Sequence, residues 1–419
     1  MYSDQNDKTV DKENPFYKLY GHAHESIYQD LTTIIPHHFF TFKDFCPTTS
    51  SLHPNTSEVI EYLQKYASHF DIEKYIEFDT AVVEVARADS DKWAVTTTRD
   101  NASKQQLFDY VVVCNGHNSI PYVPLESVKG LDKFGGTVMH SHNFRKPDSE
   151  EFEGKNVLFV GIKWSGMDLM YQFLDNKRLN GAVKFKKLIL NVKEPERISK
   201  SDNFKKFYDD GSVVVKIGEK LELKKDSVIF EDGSEEKVDT ILFCTGYKFK
   251  FPFLDKADLI SYDADNRYYG PLYQKIFSIN DPTLMFAGQG DSNALIQVVM
   301  EKQIIVIKNF IAGYLKMPPF EEMHESLNED LKHFESLGIR NFYKGSVSYQ
   351  LKYIEELRDL LKTNNIEPSC ANQKFNTGLM NMIKIFGETL KDANFIDFKN
   401  YPYQDCLNGD FEFDSSDYF

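Results

Sequence analysis

At 419 residues the chain is long enough for two to three domains with buried cores, and with 41% hydrophobic and 27% charged residues it is ordinary globular material, not a disordered chain. The net charge of −15 argues against nucleic-acid binding, which needs a positive footprint, and leaves a solvated acidic surface.

The five cysteines (Cys46, Cys114, Cys244, Cys370, Cys406) are widely spaced and form no CxxC or Cys/His metal pattern. Cys114 and Cys244 close apolar, strand-like runs, where a thiol is expected to be buried as a small hydrophobe in a reducing compartment. The opening stretch MYSDQNDKTVDKENPF has no apolar signal core. The longest apolar candidate, residues 294–315, is broken by Glu301, Lys302 and Lys308, so no run approaches the ~18 apolar residues of a spanning helix.

In chain order, polar residues dominate up to Ser26, and a loop-like region follows with Pro36 and Cys46-Pro47. Val59, Ile60, Leu63, Tyr66, Ala67 and Phe70 recur at helical spacing and predict a helix over 57–70. Residues 75–99 hold short β-rich runs, with Trp93 to Thr98 alternating. Residues 108–114 are almost wholly apolar and end at Asn115-Gly116, which predicts a parallel strand buried on both faces. Residues 156–160 form a second apolar strand. It runs into a glycine turn (161–166) and a helix with Met167, Leu169, Met170 and Phe173 on its apolar side. Residues 187–192 are a further strand, and residues 239–247 repeat the pattern of acid, apolar strand and glycine turn. Residues 283–315 read as strand, turn (Gly288, Gly290) and helix. Helices follow near 320–337 and 346–363, then an acidic, aromatic tail from Asp405. Buried strands alternating with turns and helices predict an α/β fold with parallel sheets. The strand–glycine turns at 114–116 and 244–246 are expected to be crossings between two domains.

A dinucleotide loop uses one glycine for the tight turn, one for the approach of the pyrophosphate and one for close helix–strand packing. The spacing here gives Gly161, Lys163 and Gly166, with lysine in the middle place. A Cβ there crowds the pyrophosphate, whereas the ammonium can pair with a phosphate. Ser165 and Asp168 fall in the predicted first helical turn, where Ser caps and an acid suits the dipole. The next strand ends at Lys193, with Arg197 beyond it. A cation at that place accommodates the 2′-phosphate of NADP, although loop cations are also commonly solvated. An isolated loop of this kind is a weak signal, and the strand before it and helix after it supply its context.

Phe134-Gly-Gly-Thr-Val-Met-His140, followed by Ser-His-Asn-Phe144, resembles the FxGxxxHxxx(Y/F) fingerprint of the flavin-containing monooxygenases. Asp44-Phe-Cys-Pro47 and the helix after it, Val113-Cys-Asn-Gly-His117, Ser165-Gly-Met-Asp168, Phe243-Cys-Thr-Gly-Tyr247 and Phe251-Pro-Phe-Leu254 resemble other motifs of that family, in order. The resemblance spans residues 20–330. It implies two Rossmann-like dinucleotide-binding domains. Residues 1–118 and 248–330 would form a discontinuous FAD domain and residues 119–247 an NADPH domain, with a helical region and tail at 331–419. It implies FAD and NADPH as cofactors, O₂ as co-substrate and N- or S-oxygenation of a small amine or sulfide through a C4a-hydroperoxyflavin. The cofactor would carry the reactivity, so no catalytic triad is expected and no catalytic residue is assigned. Gly288 and Gln289 would approach the flavin, and His140 would serve domain packing. A cytoplasmic protein is implied, with endoplasmic-reticulum association and homo-oligomerisation left open.

The chain departs from the family at three places. The family opens with a strand–GxGxxG–helix unit, and the start here resembles the stretch just after it. The FAD domain is therefore expected to lack its first strands, and strand 108–114 to lack a partner. Residues 28–36 resemble the YxxLRTNLP segment, whose asparagine helps hold the oxygenated flavin and NADP. That place is Ile34, with a hydroxyl beside it only on Thr33. The third departure is Lys163. Two alternatives follow: a catalytically inactive or truncated member that binds NADP or a partner protein, and a pyridine-nucleotide reductase without oxygenase activity.

Overall fold

The computed structural model describes residues 26–34, 37, 40–42, 44–45, 51, 53–174, 185–193, 202–264, 268–288, 296–336 and 347–366. Helix α1 (Thr56–His69) starts at a capping box. The Asn55 side chain accepts from the Glu58 N–H at 3.1 Å, and the Glu58 carboxylate accepts from the Asn55 N–H at 2.9 Å. Strands β1 (Ala81–Arg87), β2 (Trp93–Arg99) and β3 (Ala102–Phe108) then form an antiparallel meander, which β4 (Val111–Val113) leaves for a different sheet.

After β5 (Ile120–Pro121) and β6 (Val128–Lys129) the chain builds its largest sheet from β7 (Thr137–His140), β8 (Asn156–Val160), β9 (Lys187–Val192) and β10 (Val213–Ile217). The antiparallel run β11 (Leu221–Leu223), β12 (Ser227–Phe230) and β13 (Glu235–Lys237) precedes its fifth strand, β14 (Thr240–Phe243). The order is β10-β9-β8-β14-β7 and every pairing is parallel. Alternate side chains of its central strands serve opposite faces, as the period of two requires. Val157, Phe159, Leu188, Leu190 and Leu242 pack with helices α2 (Trp164–Leu174) and α3 (Asp202–Asp209). Leu158, Ile189, Ile241 and Phe243 pack on the other face with Leu221, Leu223, Val228 and Phe230 of the antiparallel strands. All five residues of β8 are buried, which accounts for the unbroken apolar run in the sequence.

β15 (Tyr247–Lys248) pairs antiparallel with β5, so the two connections out of the sheet lie side by side. After a ribbon of β16 (Ser261–Tyr262) and β17 (Tyr269–Gly270), strands β18 (Leu272–Tyr273), β19 (Phe277–Ser278) and β20 (Leu284–Phe286) join β4 in a four-stranded sheet ordered β18-β19-β20-β4. β20 and β4 are parallel. Helices α4 (Ile296–Ile311), α5 (Phe320–Ser336) and α6 (Val347–Thr363) pack on this second sheet through Val306, Phe334, Tyr353 and Leu357. The fold is α/β with two Rossmann-like units, and the second sheet is assembled from residues on either side of the first in sequence. Among the described residues no helix is long and apolar enough to cross a membrane.

Two expectations are corrected. Residues 108–114 are not one strand: Phe108 pairs with Trp93 in the meander, and the Lys92–Asp109 ion pair at 2.9 Å marks the exit. The remaining strand is short and only half-buried at Val111 and Val112, because among the described residues it is paired on one edge alone. Cys114, at its end, is exposed, whereas Cys244 is buried in the parallel-sheet core as expected. Cys46, Cys370, Cys406, Gly290 and the acidic tail lie outside the described residues.

Candidate functional site

The turn after β8 is built from two glycines that no other residue could replace without a shift. Gly161 lies at φ +85°, and a Cβ on it would stand 3.1 Å from the Cys244 carbonyl oxygen. A Cβ on Gly166 would stand 2.4 Å from the Gly161 carbonyl oxygen, so helix α2 rests on the turn itself. The Gly161 N–H donates to the Asn191 carbonyl at 3.0 Å and the Cys244 N–H to the Val160 carbonyl at 2.9 Å. These bonds set the loop between the carboxyl ends of β9 and β14, where open parallel sheets receive ligands. The Met167 N–H donates to the Lys163 carbonyl at 2.8 Å, so the hydrogen-bond ladder of α2 begins at Lys163 and does not use the amides of its first turn. Ser165 is therefore inside the helix and does not cap it. Lys163, Trp164 and Ser165 are exposed, while Gly166, Met167 and Asp168 are buried.

Asp168 faces the protein. Its carboxylate accepts from the Tyr28 hydroxyl at 2.7 Å and from the Gln172 side-chain amide at 3.4 Å. Burial, and then the charge of Asp168, hold the Tyr28 phenol well above its ordinary range. The Tyr28 ring meets Phe144 edge-on at 5.7 Å, and the Gln29 N–H donates to the Arg145 carbonyl at 2.8 Å. A few residues on, the Thr33 N–H donates to the Pro54 carbonyl at 3.0 Å. Ile34 packs against both the core of the second sheet and the α2 face of the first. The segment 28–34 is thus a strap across the two units, and the residue at the family's asparagine place is an apolar bridge between them. Lys193, at the end of β9, forms an exposed ion pair with Glu219 at 2.7 Å.

Where the two connections cross, His140 is completely buried and its Nδ1 accepts from the His142 N–H at 3.1 Å. Both imidazoles lie against the Tyr247 ring, at 5.4 and 5.6 Å between centroids. Burial, and secondarily His142, lower the His140 pKa to about 3 against an opposing pull from the Gly246 backbone, so the ring is neutral packing.

On the second sheet the Gly288 turn closes the carboxyl end of β20. Gly288 is left-handed (φ +74°), and a Cβ on it would meet nothing nearer than Met300 at 3.7 Å. Its N–H donates at 2.9 Å to the side-chain oxygen of Gln303, a fully buried residue of α4. Gln289 lies outside the described residues. Sequence reasoning passed over Gln303, although a lone amide within Gln303-Ile-Ile-Val-Ile307 is a detectable break in an apolar helix. The first turn has the tight glycine corner and the helix N-terminus that a dinucleotide pyrophosphate needs. The described residues contain no second glycine loop, so for a flavin they supply the Gly288 turn and not a pyrophosphate cradle.

The sequence matches the family described as flavin-binding monooxygenase-like over residues 16–177 and 170–390. The chain belongs to that family. Relatives of this flavoprotein monooxygenase include the Arabidopsis thaliana protein named Flavin-containing monooxygenase FMO GS-OX-like 2, which is 30% identical over 335 residues, 77% of this chain and 68% of the relative. The chain is also similar to a 4-hydroxybenzoate brominase (decarboxylating) of Marinomonas mediterranea, at 28% identity over 75% of this chain and 71% of the relative. Among solved structures, S-allyl-L-cysteine S-oxygenase from Allium sativum superposes with a TM-score of 0.68 at 25% identity, covering 92% of this chain and 85% of the other. The chain spans about two thirds of the length of the plant relatives it matches.

Proposed function

We propose that this chain is an FAD- and NADPH-dependent monooxygenase that oxygenates a soft nitrogen or sulfur atom in a small amine or sulfide. The observation that carries the reading is the Gly161–Gly166 turn, packed so closely that a Cβ on Gly166 would stand 2.4 Å from the Gly161 carbonyl oxygen, in a chain of this family. In this assignment Gly161 makes the tight turn, Ser165 and Gly166 present backbone amides to the NADP pyrophosphate, and Lys163 adds a cation beside it. Met167 and Asp168 fix the helix beneath, and Lys193 serves the 2′-phosphate. Thr33 and Ile34 take the place of the family segment that helps hold the flavin and NADP, and Gly288 with Gln289 lets backbone approach the flavin. When bound, the cofactors supply a hydride and activate O₂. With a proton, one oxygen atom joins the substrate and the other leaves as water. Residues 1–118 and 248–330 as the flavin unit and 119–247 as the NADPH unit belong to the same proposal, as does a cytoplasmic or endoplasmic-reticulum-associated location.

Similarity to a sulfur oxygenase favours sulfides as the first substrates to try. The test is to purify the chain, supply FAD, and look for flavin absorbance near ~450 nm together with sulfide-stimulated NADPH oxidation and sulfoxide formation. A chain that binds no flavin overturns the reading. Ile34, apolar where the family carries asparagine, favours one second reading: a member that binds NADP without oxygenating. NADP binding with no substrate-stimulated NADPH consumption would be its signature.

A further inference from the structure

We infer that the last described helix, α6, positions the Gly288 turn through a buried relay from Tyr353 by way of Gln303, and that Tyr353 is thereby a positioning residue for the flavin. The second half rests on the function proposed above.

The relay has three links. The Gly288 N–H donates to Gln303 Oε1 at 2.9 Å, Gln303 Nε2 donates to Tyr353 Oη at 3.0 Å, and Tyr353 Oη donates to the Gln274 carbonyl at 2.6 Å. Its direction is fixed throughout. A backbone N–H can only donate and a carbonyl can only accept, so the amide of Gln303 has one usable orientation and the phenol must both accept and donate. Gln303 is wholly buried and Tyr353 is 3% exposed, so water does not compete for these bonds. A buried amide on an apolar helix costs free energy unless it is bonded, and an aliphatic residue would fill the same space without that cost. What Gln303 adds is a fixed acceptor for the turn's own N–H.

The far end of the relay is equally fixed. Gln274 and Lys275 both have positive φ (+50° and +53°) and form the tight turn between β18 and β19. The Lys275 ammonium, on a residue only 3% exposed, lies over the rings of Tyr349, Phe334 and Tyr353 at 4.5, 4.7 and 5.8 Å. The Phe286 N–H donates to the Ile276 carbonyl at 2.8 Å, so this hairpin and the Gly288 turn share one end of the sheet. Helix α6 thus clamps the end of the sheet at which Gly288 lies.

Tyr353→Phe keeps the ring over Lys275 and removes the hydroxyl, leaving the Gln303 amide and the Gln274 carbonyl without it. Tyr349→Phe is the control. It alters the same helix and the same cage, removes the 3.4 Å bond to Asp330 and leaves the bonds of the relay in place. Two readouts on the full chain are amide hydrogen exchange at Gly288 and the Kd for FAD. Tyr353→Phe is expected to speed Gly288 exchange by about tenfold and to weaken FAD by about tenfold, with Tyr349→Phe changing neither. Unchanged exchange in Tyr353→Phe, or an equal change in both variants, overturns the relay. Faster exchange with an unchanged FAD Kd overturns the positioning role. Faster exchange in a protein whose wild type binds no FAD leaves the relay standing and removes the proposed function instead.

Discussion

The two sheets end in glycine turns of the same hand, Gly161 at φ +85° and Gly288 at φ +74°, but the turns are held by different means. The Gly161 N–H bonds the backbone of the adjoining strand, and the turn is closed by Gly166 a few residues away. The Gly288 N–H bonds a side chain from α4, itself held by α6. The first turn is therefore set by backbone contacts with the strands beside it and the helix after it. The second is set by side chains that converge from distant parts of the chain.

Substitution at the glycines separates the two cases. Gly166→Ala drives a Cβ into backbone that cannot give, so the expected loss is about 3 kcal/mol in urea unfolding, with NADP binding abolished. Gly288→Ala makes only an ordinary van der Waals contact with the Met300 side chain at 3.7 Å and incurs the left-handed penalty alone, about 1–2 kcal/mol. Equal losses at the two positions would break the distinction. The strap between the units comes next. Tyr28→Phe removes the 2.7 Å hydroxyl bond from a buried carboxylate, and about 2 kcal/mol of stability should go with it. An unchanged urea midpoint would show that the strap does not tie segment 28–34 to α2.

The same difference explains what was legible in the sequence. Strands 156–160 and 187–192 were readable to the residue, because a strand buried on both faces writes a predominantly apolar run. Gly161 and Gly166 were readable because their spacing is local. Residues 108–114 were misread because one apolar run crosses from the meander into a different sheet, and composition does not mark the change of partner. Ile34 read as an isolated departure from a motif, and only the packing of both cores against it shows what it does there. Tyr353 and Gln303 carry no motif at all, since their relation to Gly288 exists only once three helices and a hairpin have packed.

The crossing between the regions should be pH-sensitive. The folded protein keeps His140 neutral down to about 3, whereas its ordinary value is 6.5, so only the unfolded chain takes up that proton in the interval between. Stability is then full above 6.5 and falls by about 1.4 kcal/mol for each pH unit below it, until the folded ring also protonates. His140→Gln should flatten this slope in denaturant titrations run between about pH 7 and pH 5. Burial also lowers the His37 pKa, so part of the slope should persist in the variant.

The smallest effect concerns nucleotide choice. Lys193 can serve a 2′-phosphate only by leaving Glu219, and Glu219 places a negative charge beside the incoming anion. Both side chains are more than half exposed, at 62% and 59%, so the pair is weak and easily exchanged. Glu219→Gln should therefore tighten NADPH by only about twofold to fivefold, in line with an exposed ion pair. NADH has no 2′-phosphate and should bind as before, so the informative quantity is the ratio of the two dissociation constants. A parallel gain for NADH would mean that Glu219 acts through the net charge of the region. No gain for either would remove Lys193 from the nucleotide site and leave the Gly161 turn as the sole determinant there.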